Sequence, residues 1–213
     1  LRTVVLADPI LRPAKEPPLH HEFNSRWGIP SQSPGGTLLV APLSGGAATT
    51  LTTGRGSYID VVSAPDRVCW VDGDLVEPLC IPLDGGAVTT LATSAGGWPA
   101  IATDSTDVYW AAGAWSFGGT TDFVAIPFDG GATATIAALP GNVMSITTDD
   151  ANVYWTYGGT LSSGSDAAVL RAPRGGGPVV TLATGQGGVF GVAVDATSVY
   201  WTTATAIMKL TPK

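Results

Sequence analysis

Cysteine, methionine and histidine each occur only twice among 213 residues, charged residues make up 13%, and no apolar run approaches the roughly 18 residues of a membrane-spanning helix. Each shortage removes a class of function. Ten basic residues against 17 acidic ones, only three of them lysines, leave no basic stripe to neutralise phosphates, which excludes nucleic acid and anionic membrane surfaces as partners. Membrane insertion is likewise not expected. His20 and His21 stand side by side, followed by Glu22, and neighbours on an extended chain point to opposite sides. A metal site there would need ligands from elsewhere in the chain. No Gly-x-Ser-x-Gly elbow is present, and two histidines in one loop give no basis for a Ser–His–Asp triad. No long 3.6-periodic stripe marks a helix. The chain begins at Leu1 without methionine, so a removed leader or a fragment is the expectation.

What is present is repetition. Ile146 to Trp155 reads Ile-Thr-Thr-Asp-Asp-Ala-Asn-Val-Tyr-Trp, and relatives of it run from Ile101 to Trp110, from Val192 to Trp201 and, in worn form, from Val61 to Trp70. Trp70, Trp110, Trp155 and Trp201 are 40, 45 and 46 residues apart, and Pro42, Pro82, Pro127 and Pro173 repeat the same spacings. Two independent markers with one period of 40 to 50 residues, each unit holding several short strands, predict an all-β fold, a β-propeller.

In the fourth unit the strands are expected at Met144–Thr148, Asn152–Thr156, Ala168–Pro173 and Pro178–Ala183, short alternating runs rich in Val, Ile, Thr, Tyr and Trp between Gly, Asn and Asp clusters. Fourth strands then begin near Thr3, Ala47, Ala87, Ala132 and Pro178, which counts five four-stranded blades in a single domain. Their spans are about 9–53, 54–93, 94–138, 139–184, and 185–213 plus 1–8. Residues 1–8 resemble Pro178–Thr184, and the last unit stops after its third strand, Ala206–Thr211. The N-terminus is therefore expected to close the ring, with Thr3–Leu6 paired to Ile207–Leu210. Residues 9–36 form an irregular lead-in holding six prolines, where Asn24–Gly28 with Trp27 is a candidate second strand.

The repeated residues have structural jobs. Asp104, Asp149 and Asp195 end inner strands, where a carboxylate accepts from backbone N–H groups two residues on. Glycine pairs such as Gly85-Gly86 supply the positive φ of the hairpin between third and fourth strands. Period-two alternation puts Trp110, Trp155 and Trp201 on one face and Tyr109, Tyr154 and Tyr200 on the other. The periodic tryptophans read as blade-to-blade core, whereas Trp98 and Trp115 fall outside the period.

Together, Asp-x-x-x-Val-Tyr-Trp, then x-Pro-x-x-Gly-Gly, then Thr-Leu-Ala resembles the tandem propeller repeats of secreted and envelope proteins of myxobacteria and their relatives. It is loosely similar to NHL, SMP-30 and TolB-type propellers. The resemblance covers about Gly36 to Lys213 and the first eight residues, and implies the fold and a secreted, periplasmic or cell-envelope location. It says little of function, because turn and core residues carry it. Propellers of the SMP-30 kind hold a metal near the inner strands; here those positions are Asp60, Ala100, Ser145 and Gly191, so a ligand ring is missing and no metal or other cofactor is expected.

The pattern breaks at Cys69, where the other units have Tyr. Cys69 and Cys80 flank the turn Asp72-Gly73-Asp74 and would face each other across a hairpin centred there. A disulfide is expected, and with it an oxidising compartment, although cross-strand geometry can also set two thiols side by side.

The functional expectation is a non-enzymatic recognition module for a glycan, peptide or protein. The alternatives are a building block of a secreted or envelope assembly, or a lyase or lactone hydrolase using Asp60, His20, His21 or Glu22. In an antiparallel meander the repeated Asp and Gly-Gly turns share one end, and the loops that differ between units share the other. A ligand is expected at that second end, on Trp115, Trp98 and Arg55, with Tyr58, Asp60, Phe117, Tyr157, Asn142 and Gln186 around them. Oligomeric state is not legible in the sequence.

Overall fold

The computed structural model describes residues 2–7, 36–42, 47–55, 58–93, 100–113, 121–129, 131–139, 141–158 and 165–213. Five antiparallel sheets follow one another along the chain. The first holds β1 (Arg2–Ala7), β2 (Gly36–Pro42) and β3 (Thr49–Arg55). The second holds β4 (Tyr58–Ser63), β5 (Arg67–Asp72), β6 (Glu77–Pro82) and β7 (Thr89–Thr90). The third holds β8 (Ala100–Thr103), β9 (Asp107–Gly113), β10 (Thr121–Pro127) and β11 (Ala134–Leu139). The fourth holds β12 (Val143–Thr148), β13 (Asn152–Tyr157), β14 (Ala168–Pro173) and β15 (Val180–Thr184). The last holds β16 (Val189–Val194), β17 (Val199–Thr203) and β18 (Ile207–Leu210). Each four-stranded sheet is a simple meander, and β4, β8, β12 and β16 lie side by side in that order.

One strand lies elsewhere than its sequence suggests. β1 pairs with β2, from Arg2↔Pro42 to Ala7↔Thr37, and not with β18. This overturns closure of the last sheet by Thr3–Leu6 and with it the assignment of residues 1–8 to the final unit. The reason is ladder length: β2 takes a six-residue register, whereas β18 is only four residues long. A longer partner satisfies more backbone N–H and C=O groups. Among the described residues the last sheet has three strands, with Ile207 80% exposed. The candidate strand Asn24–Gly28, and with it Trp27, lies outside the described residues.

Alternation along each second strand builds the core between sheets. Trp70 packs with Leu38 of the first sheet, Trp110 with Cys69 and Cys80 of the second, Trp155 with Tyr109 and Phe123 of the third, and Trp201 with Tyr154 and Val169 of the fourth. The tryptophan therefore faces the preceding sheet, and the tyrosine, or Cys69 in its place, the following one.

Cys69 and Cys80 are register partners, 4.1 Å apart at Cα, and are joined as a disulfide. The bridge closes a loop of sequence separation 11, and such a loop contributes about 3 kcal/mol or less. Reduction is accordingly expected to speed amide exchange in residues 58–90 while the third to fifth sheets keep their protection. Mass spectrometry of the native protein that finds two free thiols would contradict the bridge.

Candidate functional site

At one end of the sheets the same turn is built three times. Asp104 Oδ1 accepts from the N–H groups of Thr106 and Asp107, at 2.7 and 2.8 Å, while its Oδ2 accepts from the Tyr109 hydroxyl at 2.8 Å. Asp149 does the same with Ala151, Asn152 and Tyr154, and Asp195 with Thr197, Ser198 and Tyr200. These carboxylates are turn caps, as their spacing suggests.

Each of the first two also receives a cation from the next sheet. Arg174 Nη1 lies 2.8 Å from Asp104 Oδ2, and Lys213 Nζ 2.6 Å from Asp149 Oδ2. Neither cation stands out in the sequence read alone, yet both directly follow a proline, Pro173 at the end of β14 and Pro212 two residues beyond β18. The second sheet replaces the whole set: Ala64 stands for Asp and Cys69 for Tyr, and Phe128 takes the position of the incoming cation. The Arg67 guanidinium lies over the Phe128 ring at 4.3 Å, so a cation–π contact joins the two sheets there instead.

Burial alone would raise the carboxylates of Asp104 and Asp149, but their donors outweigh it. Asp104 is held below its ordinary value by the Thr106 and Asp107 N–H groups and the Tyr109 hydroxyl, and Asp149 well below by Lys213 and its turn. Asp195 is drawn down to about 2, chiefly by the Thr197 N–H and then the Tyr200 hydroxyl. Desolvation, and then the adjacent carboxylate, push Tyr109 and Tyr154 up.

Between the third and fourth sheets, at this same end, lies a cavity of about 240 Å³ lined by Asp104, Asp107, Tyr109, Ala125, Ala134 and Arg174, among others. Nothing in the linear sequence marks it.

The opposite end carries the loops that differ from sheet to sheet. Register places Val143, Tyr157, Ala168 and Thr184 in one row at this end of the fourth sheet, and Arg55 opposite Gly36 and Tyr58 opposite Asp72 at the same end of the first two. Of the candidate ligand residues, Trp98, Trp115 and Phe117 lie outside the described residues, as do His20, His21 and Glu22. Tyr157 is buried and Asn142 half-buried, with the Asn142 carbonyl accepting from the Gly158 N–H. Gln186 Oε1 accepts from the Trp201 indole N–H at 3.2 Å, which ties that loop to the core.

Asp60 has φ of 45° at an irregularity in β4, and its carboxylate accepts from the Ile101 N–H of the next sheet. Burial pushes its pKa up. Ser145, the equivalent position two sheets on, accepts from the Val192 N–H in the same way. Both side chains thus connect inner strands. Among the described residues no three His, Cys, Asp or Glu side chains converge as metal ligands.

No family model matches the chain, and neither does any curated protein. Several solved structures do. The nidogen/laminin complex includes a chain that is 19% identical with a TM-score of 0.66, over 83% of this chain and 68% of that one. TolB from Acinetobacter baumannii is 16% identical with a TM-score of 0.59, over 84% of this chain and 50% of its own. An oligogalacturonate lyase in complex with manganese is 15% identical with a TM-score of 0.62, over 83% and 56%. The chain spans only about half the length of the latter two. These are β-propeller proteins, and at such identities the likeness concerns the fold alone: this chain is similar to them in being built of successive antiparallel propeller sheets.

Proposed function

We propose that the protein is a non-enzymatic recognition module with five blades, which presents the variable loops of one propeller face to a glycan, peptide or protein. The observation that carries this reading is the asymmetry between its two ends. At one, the Asp turns of three sheets are closed by the same hydrogen bonds; at the other, the loops differ in length and in residue type. Loops held by a rigid scaffold carry binding more often than the scaffold itself. Trp115, Trp98 and Arg55 are the anchors in this reading, with Tyr58, Phe117, Tyr157, Asn142 and Gln186 around them and Asp60 near the channel entrance.

Of the residues in the hydrolase and lyase alternative, Asp60 accepts from the Ile101 N–H of the next sheet, which gives it a role in joining inner strands, and His20, His21 and Glu22 lie outside the described residues. Nidogen is seen with laminin and the lyase acts on oligogalacturonate, so proteins and acidic glycans are both reasonable first probes. The Cys69–Cys80 disulfide suits a secreted, periplasmic or envelope location.

A glycan array followed by Trp115→Ala and Arg55→Ala tests the proposal. Each variant should weaken a ligand found this way by more than about 1 kcal/mol, as buried anchors do. Unchanged affinity in both would reject the face. One observation favours a second reading, assembly into a larger structure: the last sheet has three strands, with Ile207 and Met208 exposed. A defined oligomer by light scattering would support it.

A further inference from the structure

We infer that the cavity between the third and fourth sheets is a binding site for a single sugar residue, which it takes by a vicinal pair of hydroxyls. It lies at the Asp-turn end, away from the recognition face proposed above.

The cavity exists because one row of the repeat is left unfilled. Equivalent positions across the sheets are Cys69, Cys80 and Thr89 in the second, Tyr109, Ala125 and Ala134 in the third, Tyr154, Arg171 and Val180 in the fourth, and Tyr200 with Lys209 in the last. The disulfide bridges the row in the second sheet, Arg171 and the partly exposed Val180 stand at it in the fourth, and Lys209 lies over the Tyr200 ring at 5.3 Å in the last. Only the third sheet has two alanines there. The two small side chains leave a cleft that is open to solvent along Ala132, Ala134 and Gly175, which are exposed, and that runs beside an ion pair.

The polar groups around it are specific. Asp104 is saturated by two N–H groups, the Tyr109 hydroxyl and Arg174. Arg174 uses only Nη1 on Asp104, and a guanidinium carries five N–H donors in a planar fork. Asp107 Oδ2 takes the Thr106 hydroxyl at 2.6 Å and leaves Oδ1 to accept. The cavity therefore offers donors from Arg174 next to an acceptor on Asp107, with Ala125, Pro127 and Ala134 as an apolar wall.

An anion placed here meets two carboxylates, and a cation meets Arg174. Two adjacent hydroxyls fit without either penalty, since one accepts from the guanidinium and the other donates to the carboxylate, while the C–H face of the ring lies against the alanines. The volume, about 240 Å³, is below the range of drug-sized pockets, which begins at about 300 Å³, and suits one ring.

Ligand-observed NMR on the whole chain, with glucose, galactose, mannose, rhamnose and galacturonate as probes, tests the site. At least one neutral sugar should bind. Ala134→Val, which introduces the residue that Val180 supplies one sheet on, and Arg174→Lys, which keeps the ion pair in the form Lys213 makes but removes the fork, should each weaken it at least about tenfold. Both variants should melt close to the parent. A sugar that Ala134→Val binds unchanged and Trp115→Ala loses belongs to the opposite face, which overturns the cavity and leaves that face standing. No sugar bound at about 50 mM, or glycine zwitterion bound in preference to every sugar, overturns the inference as well.

Discussion

Alanine in place of Trp155 is expected to cost about 3–5 kcal/mol, a large share of the roughly 5–15 kcal/mol that holds a domain folded. Trp155 is 0% exposed, packs edge-on to Phe123 with ring centroids 5.0 Å apart, and belongs to the core cluster that joins the third and fourth sheets. Truncation removes the ring from between two sheets whose backbones are fixed by their own ladders, so the space cannot close. Trp201 occupies the same position in the last sheet, next to exposed Ile207 and Met208. Its replacement should cost less, because among the described residues the last sheet has three strands and less structure depends on it. Urea midpoints of the two variants, measured side by side, check this. A Trp155→Ala loss smaller than that of Trp201→Ala would mean that the sheets do not depend on the third-to-fourth contact as the packing indicates.

Asp149→Ala should have the second-largest effect, about 2–4 kcal/mol, because it leaves several partners without their acceptor. The Ala151 and Asn152 N–H groups, the Tyr154 hydroxyl and Lys213 Nζ all converge on this carboxylate. Tyr154 is fully buried and Lys213 mostly so, so water replaces the lost partner poorly. Tyr154→Phe, which removes one hydrogen bond and no charge, should cost about 1 kcal/mol.

The same carboxylate carries a pH signature. Its folded-state pKa lies below the ordinary 3.8, so its stabilisation is complete above that value and is lost as pH falls through the folded pKa. The stability of the parent should begin to fall below about pH 4, with Asp195 protonating near 2 and Asp149 depressed as well. Asp149→Asn lacks this contribution from the start. Its deficit against the parent should be largest near neutral pH and should shrink on acidification, as followed by melting temperature. A deficit constant from pH 7 to about pH 2 would show that the charge is not what matters.

Much of this architecture is written locally, and for that reason can be read in the chain before it folds. Third strand Ala168–Pro173 appears where alternation and the turn residues place it, and the Asp149 turn closes within five residues of its own aspartate. Cys69 and Cys80 meet as expected, although the hairpin turns at residues 73–76 with Asp72 still paired to Glu77, slightly later than the Asp72-Gly73-Asp74 centre that the sequence suggests. Period-two alternation is equally local, and puts Trp155 and Tyr154 on opposite faces whatever surrounds them.

The rest depends on which surfaces meet across long stretches of chain. β1 resembles an outer strand in composition, but its partner was decided by the length of β2 against the short β18, a comparison between segments far apart. Arg174 reaches Asp104 across 70 residues, and only the stacking of one sheet on the next brings a residue after a third-strand proline over the preceding turn. The cavity is the extreme case: Ala125 and Ala134 are unremarkable in the chain, and become a site only because register sets them side by side next to Tyr109 while the following sheet supplies Arg174 as a rim. Alternation and turn chemistry act within one strand or hairpin, so the sequence alone determined the repeat, its strands and the direction of each side chain; strand pairing and packing between sheets act on whole surfaces, so the tertiary structure alone decided what each face meets and where space was left.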